Sequence, residues 1–312
     1  MAATAIVTCG GAFMAFGQIT IDTVAIGYAG NAADSTGYGA VGYTYNIGTH
    51  EVTNAQYTAF LNAVAATDTY NLYSMNMSSG QGGITRSGSS GSYTYQTISG
   101  RENMPVNQVS FWDAARFVNW LENGQGGAGT TETGTYTLNG VLNPVNTSVT
   151  RNANSTWAIT SEDEWYKAAY YQPANAGGDG DDYWQFATQS NTAPLAGPPG
   201  TGGANFANAV GGLTAVGSYS ASFFGAFDMN GNVVEWNETI ITANGISQRS
   251  TRGGGFNSIV RSLQADHQYF FPPQNDALAL GFRVSYIPGP SAVALLAIGG
   301  LGALGRRRSA GR

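Results

Sequence analysis

Few residues in this chain could do chemistry. His50 and His267 are its only histidines, and Cys9 is its only cysteine. The pair His50-Glu51 begins as a zinc-protease helix does, but position 54 is asparagine where that motif needs its second histidine. Two histidines cannot build a three-histidine metal site, and one thiol cannot form a disulfide or a paired thiolate site. Glu162, Glu164 and Glu235 are the carboxylates that acid–base work would draw on. The first two also read as helix-start charges. No nucleophile–base pair can be located from spacing alone. Tyr183, Trp184, Tyr269, Phe270 and Phe271 fall in loop-like stretches and could offer stacking faces to a ligand, although packing into the core is the commoner use of such rings.

The chain around these residues is uncharged and rich in turns. Only 10% of the 312 residues are charged, and 44 are glycine. A typical domain carries ~25% charge and ~7% glycine. At 42% hydrophobic residues the chain is nevertheless globular rather than disordered. The formal charge is −6, and four of the thirteen cations are Arg306, Arg307, Arg308 and Arg312. Without them nine cations face nineteen acidic residues, a net −10. A body of that charge repels nucleic acid and anionic lipid, which excludes both as partners. A polar, nearly lysine-free surface suits an exported protein.

Both ends read as address labels. The small apolar stretch from Ala2 to Phe16 has the character of a secretory signal peptide removed near Gly17, which assigns residues 1–17 to export. At the other end, Ile287-Pro288-Gly289-Pro290-Ser291 leads into an apolar run from Ala292 to Gly305 and then the arginines. From Ile287 that run is just long enough to cross a ~30 Å hydrocarbon core, with its cations on the cytoplasmic side. Proline motif, apolar run and arginine cluster, in that order, resemble the PEP-CTERM sorting tail of bacterial exported proteins. Pro-Gly-Pro stands here where Pro-Glu-Pro is usual. The resemblance implies an exosortase-type protease as partner, membrane contact only through residues 287–312, and residence in the envelope or outside the cell.

The body between, residues 18–286, is about 270 residues, enough to bury ~70–75% of its unfolded surface without disulfides. Three helices position its candidate residues. Thr53 and Gln56 have capping-box spacing, followed by Tyr57, Phe60, Leu61 and Val64 on one stripe. Ser110 and Asp113 repeat the device ahead of Ala114, Phe117, Val118 and Leu121. A third helix starts near Thr160 or Ser161, carries Asp163 and Glu164 in its first turn, and buries Trp165, Ala168 and Ala169. Tyr93 and Tyr95 alternate within a Gly/Ser/Thr-rich stretch and suggest a brief hairpin. Residues 122–156 and 172–215 are long and turn-rich. The pattern is that of an α+β domain of low regular content.

Six stretches in order carry a family resemblance. They are Ile47-Gly48-Thr49-His50-Glu51-Val52-Thr53-Asn54-Ala55-Gln56-Tyr57, Pro105-Val106-Asn107-Gln108-Val109-Ser110-Phe111-Trp112-Asp113-Ala114, Thr160-Ser161-Glu162-Asp163-Glu164-Trp165, Gly231-Asn232-Val233-Val234-Glu235-Trp236, Arg252-Gly253-Gly254-Gly255-Phe256 and Gly281-Phe282-Arg283. Together they resemble the sulfatase-modifying-factor, or formylglycine-generating-enzyme, domain over about residues 41–286. The resemblance implies a C-type-lectin-like α+β fold with much irregular structure.

It also implies two metals. The family's oxidation of a sulfatase cysteine uses a copper-binding cysteine pair between the last two motifs. Ser258 and Leu263 stand at those places here, and a serine hydroxyl does not bind copper(I) as a thiolate does. No copper is therefore expected, and that reaction is excluded. Calcium is expected from the Asn230, Gly231 and Val233 carbonyls and the Glu235 carboxylate, because a turn of closely spaced oxygens suits its six to eight ligands. A second, weaker site would begin at Asn205 and the Phe206 carbonyl. Glu235 precedes Trp236 and should be buried, so it needs a counter-charge. Two function classes follow: a non-catalytic exported module binding glycan, matrix polymer or another envelope protein, and an enzyme using oxygen-based chemistry on the same scaffold.

Overall fold

Three capping boxes start the three α-helices. In each, a Thr or Ser hydroxyl accepts the N–H of the third helical residue while that residue's side chain accepts the cap's own N–H. The computed structural model describes residues 18–289 apart from Thr201; the signal-like stretch 1–17, with Cys9, and residues 290–312 of the tail lie outside the described residues. Helix α1 (Asn54–Val64) is capped by Thr53, α2 (Phe111–Glu122) by Ser110 and α3 (Glu162–Tyr170) by Ser161. All three match the sequence reading. The stripe residues of α1 and α2 meet in one core, where Phe60 lies 5.4 Å from both Phe117 and Trp120, ring centre to ring centre.

The strands are short. In chain order they are β1 (Thr23–Ile26), β2 (Tyr45–Gly48), β3 (Ile84–Ser87), β4 (Thr94–Thr97), β5 (Trp157–Ile159), β6 (Leu195–Ala196), β7 (Gly203–Ala204), β8 (Val234–Ala243), β9 (Ile246–Arg252), β10 (Tyr269–Phe271), β11 (Leu280–Gly281) and β12 (Val284–Tyr286). One sheet has the order β1-β2-β12-β5, all antiparallel, so the first and last strands share it. A second four-stranded sheet has the order β10-β9-β8-β11, with β11 parallel to β8 and a register shift between Trp236 and Ile240, and β6 pairs with β7 alone. The hairpin β3–β4 holds the expected Tyr95, which is buried.

A chain with few charges places several of them inside. Arg116, Arg249, Arg252 and Arg283 are among its largest fully buried side chains. A buried guanidinium needs partners at most of its five donors, so these arginines act as internal brackets between distant segments. Arg249 has no carboxylate partner among the described residues. It donates instead to Asn146 and to the Val149 and Glu238 carbonyls, with its guanidinium 4.1 Å from the centre of the Phe111 ring.

A candidate ligand-binding face

The three carboxylates that acid–base chemistry would draw on are all taken by arginine. Glu162 receives Arg252 at 2.7 Å, and Glu164 receives Arg151 at 2.9 Å on each oxygen. Burial pushes the Glu164 carboxyl up, but the Arg151 guanidinium outweighs it and holds it below its ordinary range. Glu235 is wholly buried. Arg283 grips both its oxygens at 2.6 Å, and the Trp165 indole N–H adds a third bond at 2.7 Å.

Arg283 is the counter-charge that Glu235 needs, and it competes there with calcium. A calcium ion on Glu235 would have to displace a bidentate guanidinium or stand against its charge. The side chains around the expected carbonyl ligands of Asn230, Gly231 and Val233 have structural tasks of their own. The Asn230 side chain ties Ala187 to Leu263, and Val233 packs with Leu213, Phe256 and Ala279. Gly231 lies at φ +90° against Asn205, where a Cβ would come within 2.2 Å of the Asn205 carbonyl. Asn205 and Asn232 bond to one another and to Thr214, Phe206 sits in a small apolar cluster, and only the Asn205 Oδ1 is left buried without a donor. At this turn a calcium ion would find the three backbone carbonyls, the Asn205 Oδ1 and a carboxylate already held by Arg283. Among the described residues no group of three His, Cys, Asp or Glu side chains is placed to hold a metal.

Sequence reasoning passes over the rest of this cluster. Glu51, first met as half of a failed zinc motif, is buried beside Arg283 and accepts the Asn232 amide at 3.1 Å. Burial, with Asp228 nearby, pushes its carboxyl well above the usual range. Burial likewise raises Asp228 to about 6. Glu51 Oε2 and Asp228 Oδ1 have no hydrogen-bond partner among the described residues. His50 stacks on Phe227 with ring centres 5.3 Å apart.

Copper fits no better. Leu263 is wholly buried against Phe186, Ala204 and Phe206, and the Ser258 hydroxyl accepts the Gly255 N–H within its own turn. Neither position offers a soft ligand. Among the described residues, neither histidine hydrogen-bonds a serine hydroxyl.

The open chemistry lies on the strap between β9 and β11. Strand β10 pairs with β9 and forms the outer edge of its sheet. Tyr269 and Phe270 are 37% and 40% exposed. Tyr269 and Phe271, two residues apart, project to the same face and stack with ring centres 6.2 Å apart, and Trp236 buttresses Phe271 edge-on. With Ser258, Asn257, Leu278 and Leu280 they line an open groove of about 260 Å³. Tyr183 and Trp184 border a different open cleft, of about 370 Å³ and lined by Asp34, Asp179 and Asp181, and Tyr183 gives it little of its ring. Tyr183 is 5% exposed, and its hydroxyl is fixed by Asn31 and the Ala32 and Gly39 carbonyls, because its packing against Tyr171 and Tyr166 makes it a core ring. Trp184 is half-buried and ties its indole N–H to Gln172. The five rings therefore divide, with Tyr269, Phe270 and Phe271 together and Tyr183 and Trp184 elsewhere.

Beyond β10 the strap is pinned to the start of α2 and to the segment just before it. Its Pro273 carbonyl accepts the Phe111 N–H at 3.0 Å and its Ala277 carbonyl accepts the Gln108 N–H at 3.1 Å. Between these pins Gln274 and Asp276 overhang a second cleft of about 290 Å³, lined also by Ser110, Trp112, Asp113 and Tyr70. Asp113 caps α2 through Oδ2, which accepts both the N–H and the hydroxyl of Ser110. Burial raises its carboxyl to about 7, and Asp276 adds to the rise.

The profile of the sulfatase-modifying factor enzyme 1-like domain matches residues 6–286. The chain belongs to this family. Among solved structures it resembles CarF, at 22% identity and a TM-score of 0.56, covering 86% of this chain and 99% of that one. It also resembles variable protein 1 of Treponema denticola, at 15% identity and a TM-score of 0.52, covering 88% and 97%. Likeness at these identities is likeness of fold, and it agrees with the α+β, C-type-lectin-like architecture read from the motifs. No curated protein matches the chain.

Proposed function

We propose that this family member is an exported, non-catalytic module that binds a glycan of the bacterial envelope or its matrix through the Tyr269–Phe271 groove. The observation that carries the reading is the contrast in side-chain use. The three catalytic candidates, Glu162, Glu164 and Glu235, are locked by arginines. The aromatic rings on an edge strand are open and backed by Trp236. Ring faces beside Asn257 and Ser258 suit the apolar faces and hydroxyls of a sugar. A glycan array with the full chain tests this. Retention of one glycan class that Tyr269→Ala with Phe271→Ala abolishes supports it; retention unchanged by the pair overturns it.

Two further parts of the reading rest on the sequence. Residues 1–17 serve export, and residues 287–312 hold the chain at the membrane until an exosortase-type protease acts. An envelope protein is the second kind of partner, because the outer edge of β10 is unpaired and can accept an added strand. The enzyme reading would have to draw on Asp113 and Asp276, carboxylates that no arginine bonds among the described residues.

A further inference from the structure

Four Asn-Gly pairs occur in the chain, at 123–124, 139–140, 230–231 and 244–245. The pair has its own chemistry. The main-chain nitrogen of a glycine, with no Cβ beside it, meets little hindrance on its way to the amide carbon of the preceding asparagine side chain. The fold treats the four pairs differently.

Three are held. Asn230 is 4% exposed, its side chain is bonded to Ala187 and Leu263, and the Gly231 N–H donates to the Gly253 carbonyl at 2.9 Å. Asn123, just past α2, gives its amide to the Thr130 and Thr133 carbonyls at 2.9 and 2.7 Å, and the Gly124 N–H is spent on the Leu121 carbonyl. The Gly140 N–H donates to Glu132 at 3.0 Å, and Arg116 grips both oxygens of that carboxylate, which makes it a poor base.

The fourth pair is free. Asn244 and Gly245 are the two central residues of the β8–β9 hairpin, which closes on the pairing of Ala243 with Ile246. Both have positive φ, +52° and +76°, the mirror-image turn that Asn-Gly favours. Both are exposed, and among the described residues neither the Asn244 amide nor the Gly245 N–H has a hydrogen-bond partner. A tip of this kind opens locally at little cost.

We propose that Asn244 is a self-modification site, deamidating ahead of the chain's other Asn-Gly pairs. Hydroxide takes the Gly245 N–H proton, and the nitrogen attacks the Asn244 side-chain carbon. The bond from that carbon to the amide nitrogen breaks, and the nitrogen leaves as ammonia after taking a proton from water. Water then opens the cyclic imide at one of its two carbonyls. One opening gives aspartate. The other gives isoaspartate, which routes the main chain through the side chain and lengthens a two-residue loop by one atom. Either product adds one negative charge to the hairpin tip. The reaction needs no ligand and stands independently of the glycan reading.

Ageing the full chain in mildly alkaline buffer, with peptide mapping of all four pairs, tests it. Asn244 is expected to convert about tenfold faster than each of the other three, the factor set by a hydrogen bond that those must first break. Unfolding in guanidinium removes their protection, so the four rates should converge. Asn244→Gly keeps a turn with two positive φ values and should abolish the early acidic product. Equal rates in the folded chain, or a different pair reacting first, overturn the proposal. An early acidic product that survives in Asn244→Gly also overturns it. So does an order of rates that persists in guanidinium, by tracing the order to neighbouring sequence and not to the fold.

Discussion

The cluster around Arg283 and the strap from Tyr269 to Leu280 lie against the same strand, β8, and are opposites. In the cluster Glu51, Asn232, Glu235 and Arg283 come from three separate motifs and are wholly buried, each tied to another by hydrogen bonds. The strap lies between motifs, holds exposed rings and an exposed carboxylate, and touches the scaffold chiefly through backbone pins. The contrast separates what makes the chain a member of its family from the surface proposed to meet a ligand. Motif residues build the bracket; the strap between the last two motifs carries exposed rings and an exposed carboxylate.

The largest expected effect tests the bracket. Arg283→Met leaves Glu51, Asp228 and Glu235 buried without a cation, and breaking a buried pair this way costs about 3–5 kcal/mol. Urea unfolding at pH 7.5 measures it. A loss under ~1 kcal/mol would dissolve the contrast between the two regions.

The next effect comes from the surplus of carboxylates over cations in that cluster. Glu51 and Asp228 are raised in the folded chain, chiefly by burial and then by neighbouring charge. A raised carboxyl binds its proton more tightly when folded, so its stabilisation is complete below the unfolded value near pH 4. That contribution is lost as pH rises through about 6 for Asp228, and through the raised folded value of Glu51. A tenfold difference in proton affinity between the folded and unfolded chain corresponds to about 1.4 kcal/mol. Glu51→Gln should flatten the fall of stability between pH 4 and 8; an unchanged slope would remove Glu51 from the account.

The strap should respond in the other direction, with function moving and stability still. Tyr269→Ala and Phe270→Ala remove exposed rings and should change unfolding by no more than about 0.5–1 kcal/mol. A larger change would make the strap part of the core. The smallest effect is expected from chelation. Because Arg283 occupies Glu235, added chelator should leave the melting curve in place. A drop that Glu235→Gln abolishes would return calcium to that turn.

How much of this is legible in the sequence depends on how local each signal is. The helices are readable because a capping box and its apolar stripe sit within a dozen residues, as Ser110, Asp113 and Phe117 do. Strands of two to four residues carry no period to read, and β6, β7 and β11 escape notice. Glu235 is recognisable as buried and in need of a counter-charge, but the identity of that charge is not recoverable. Arg283 lies 48 residues away, and only the pairing of β11 with β8 brings it close. The Asp113 cleft is hidden for the same reason, its second carboxylate coming from the far end of the strap. Tyr183 reads as a surface ring because its surroundings are turn-rich, yet a loop residue can still be the ring that closes a core.

Strand β12 has a mechanical side. It runs between β2 and β5 with ladders on both flanks, and just past it the Ile287 N–H is held by the Thr156 carbonyl at 2.7 Å. Tension applied beyond that residue would run along the strand, so both ladders would have to shear together instead of opening bond by bond. Immediately upstream Arg283 is bolted to Glu235 on the other sheet. Under load, resistance is set by the rate of crossing the unfolding barrier rather than by equilibrium stability, and three residues of strand with one guanidinium behind them form the clamp.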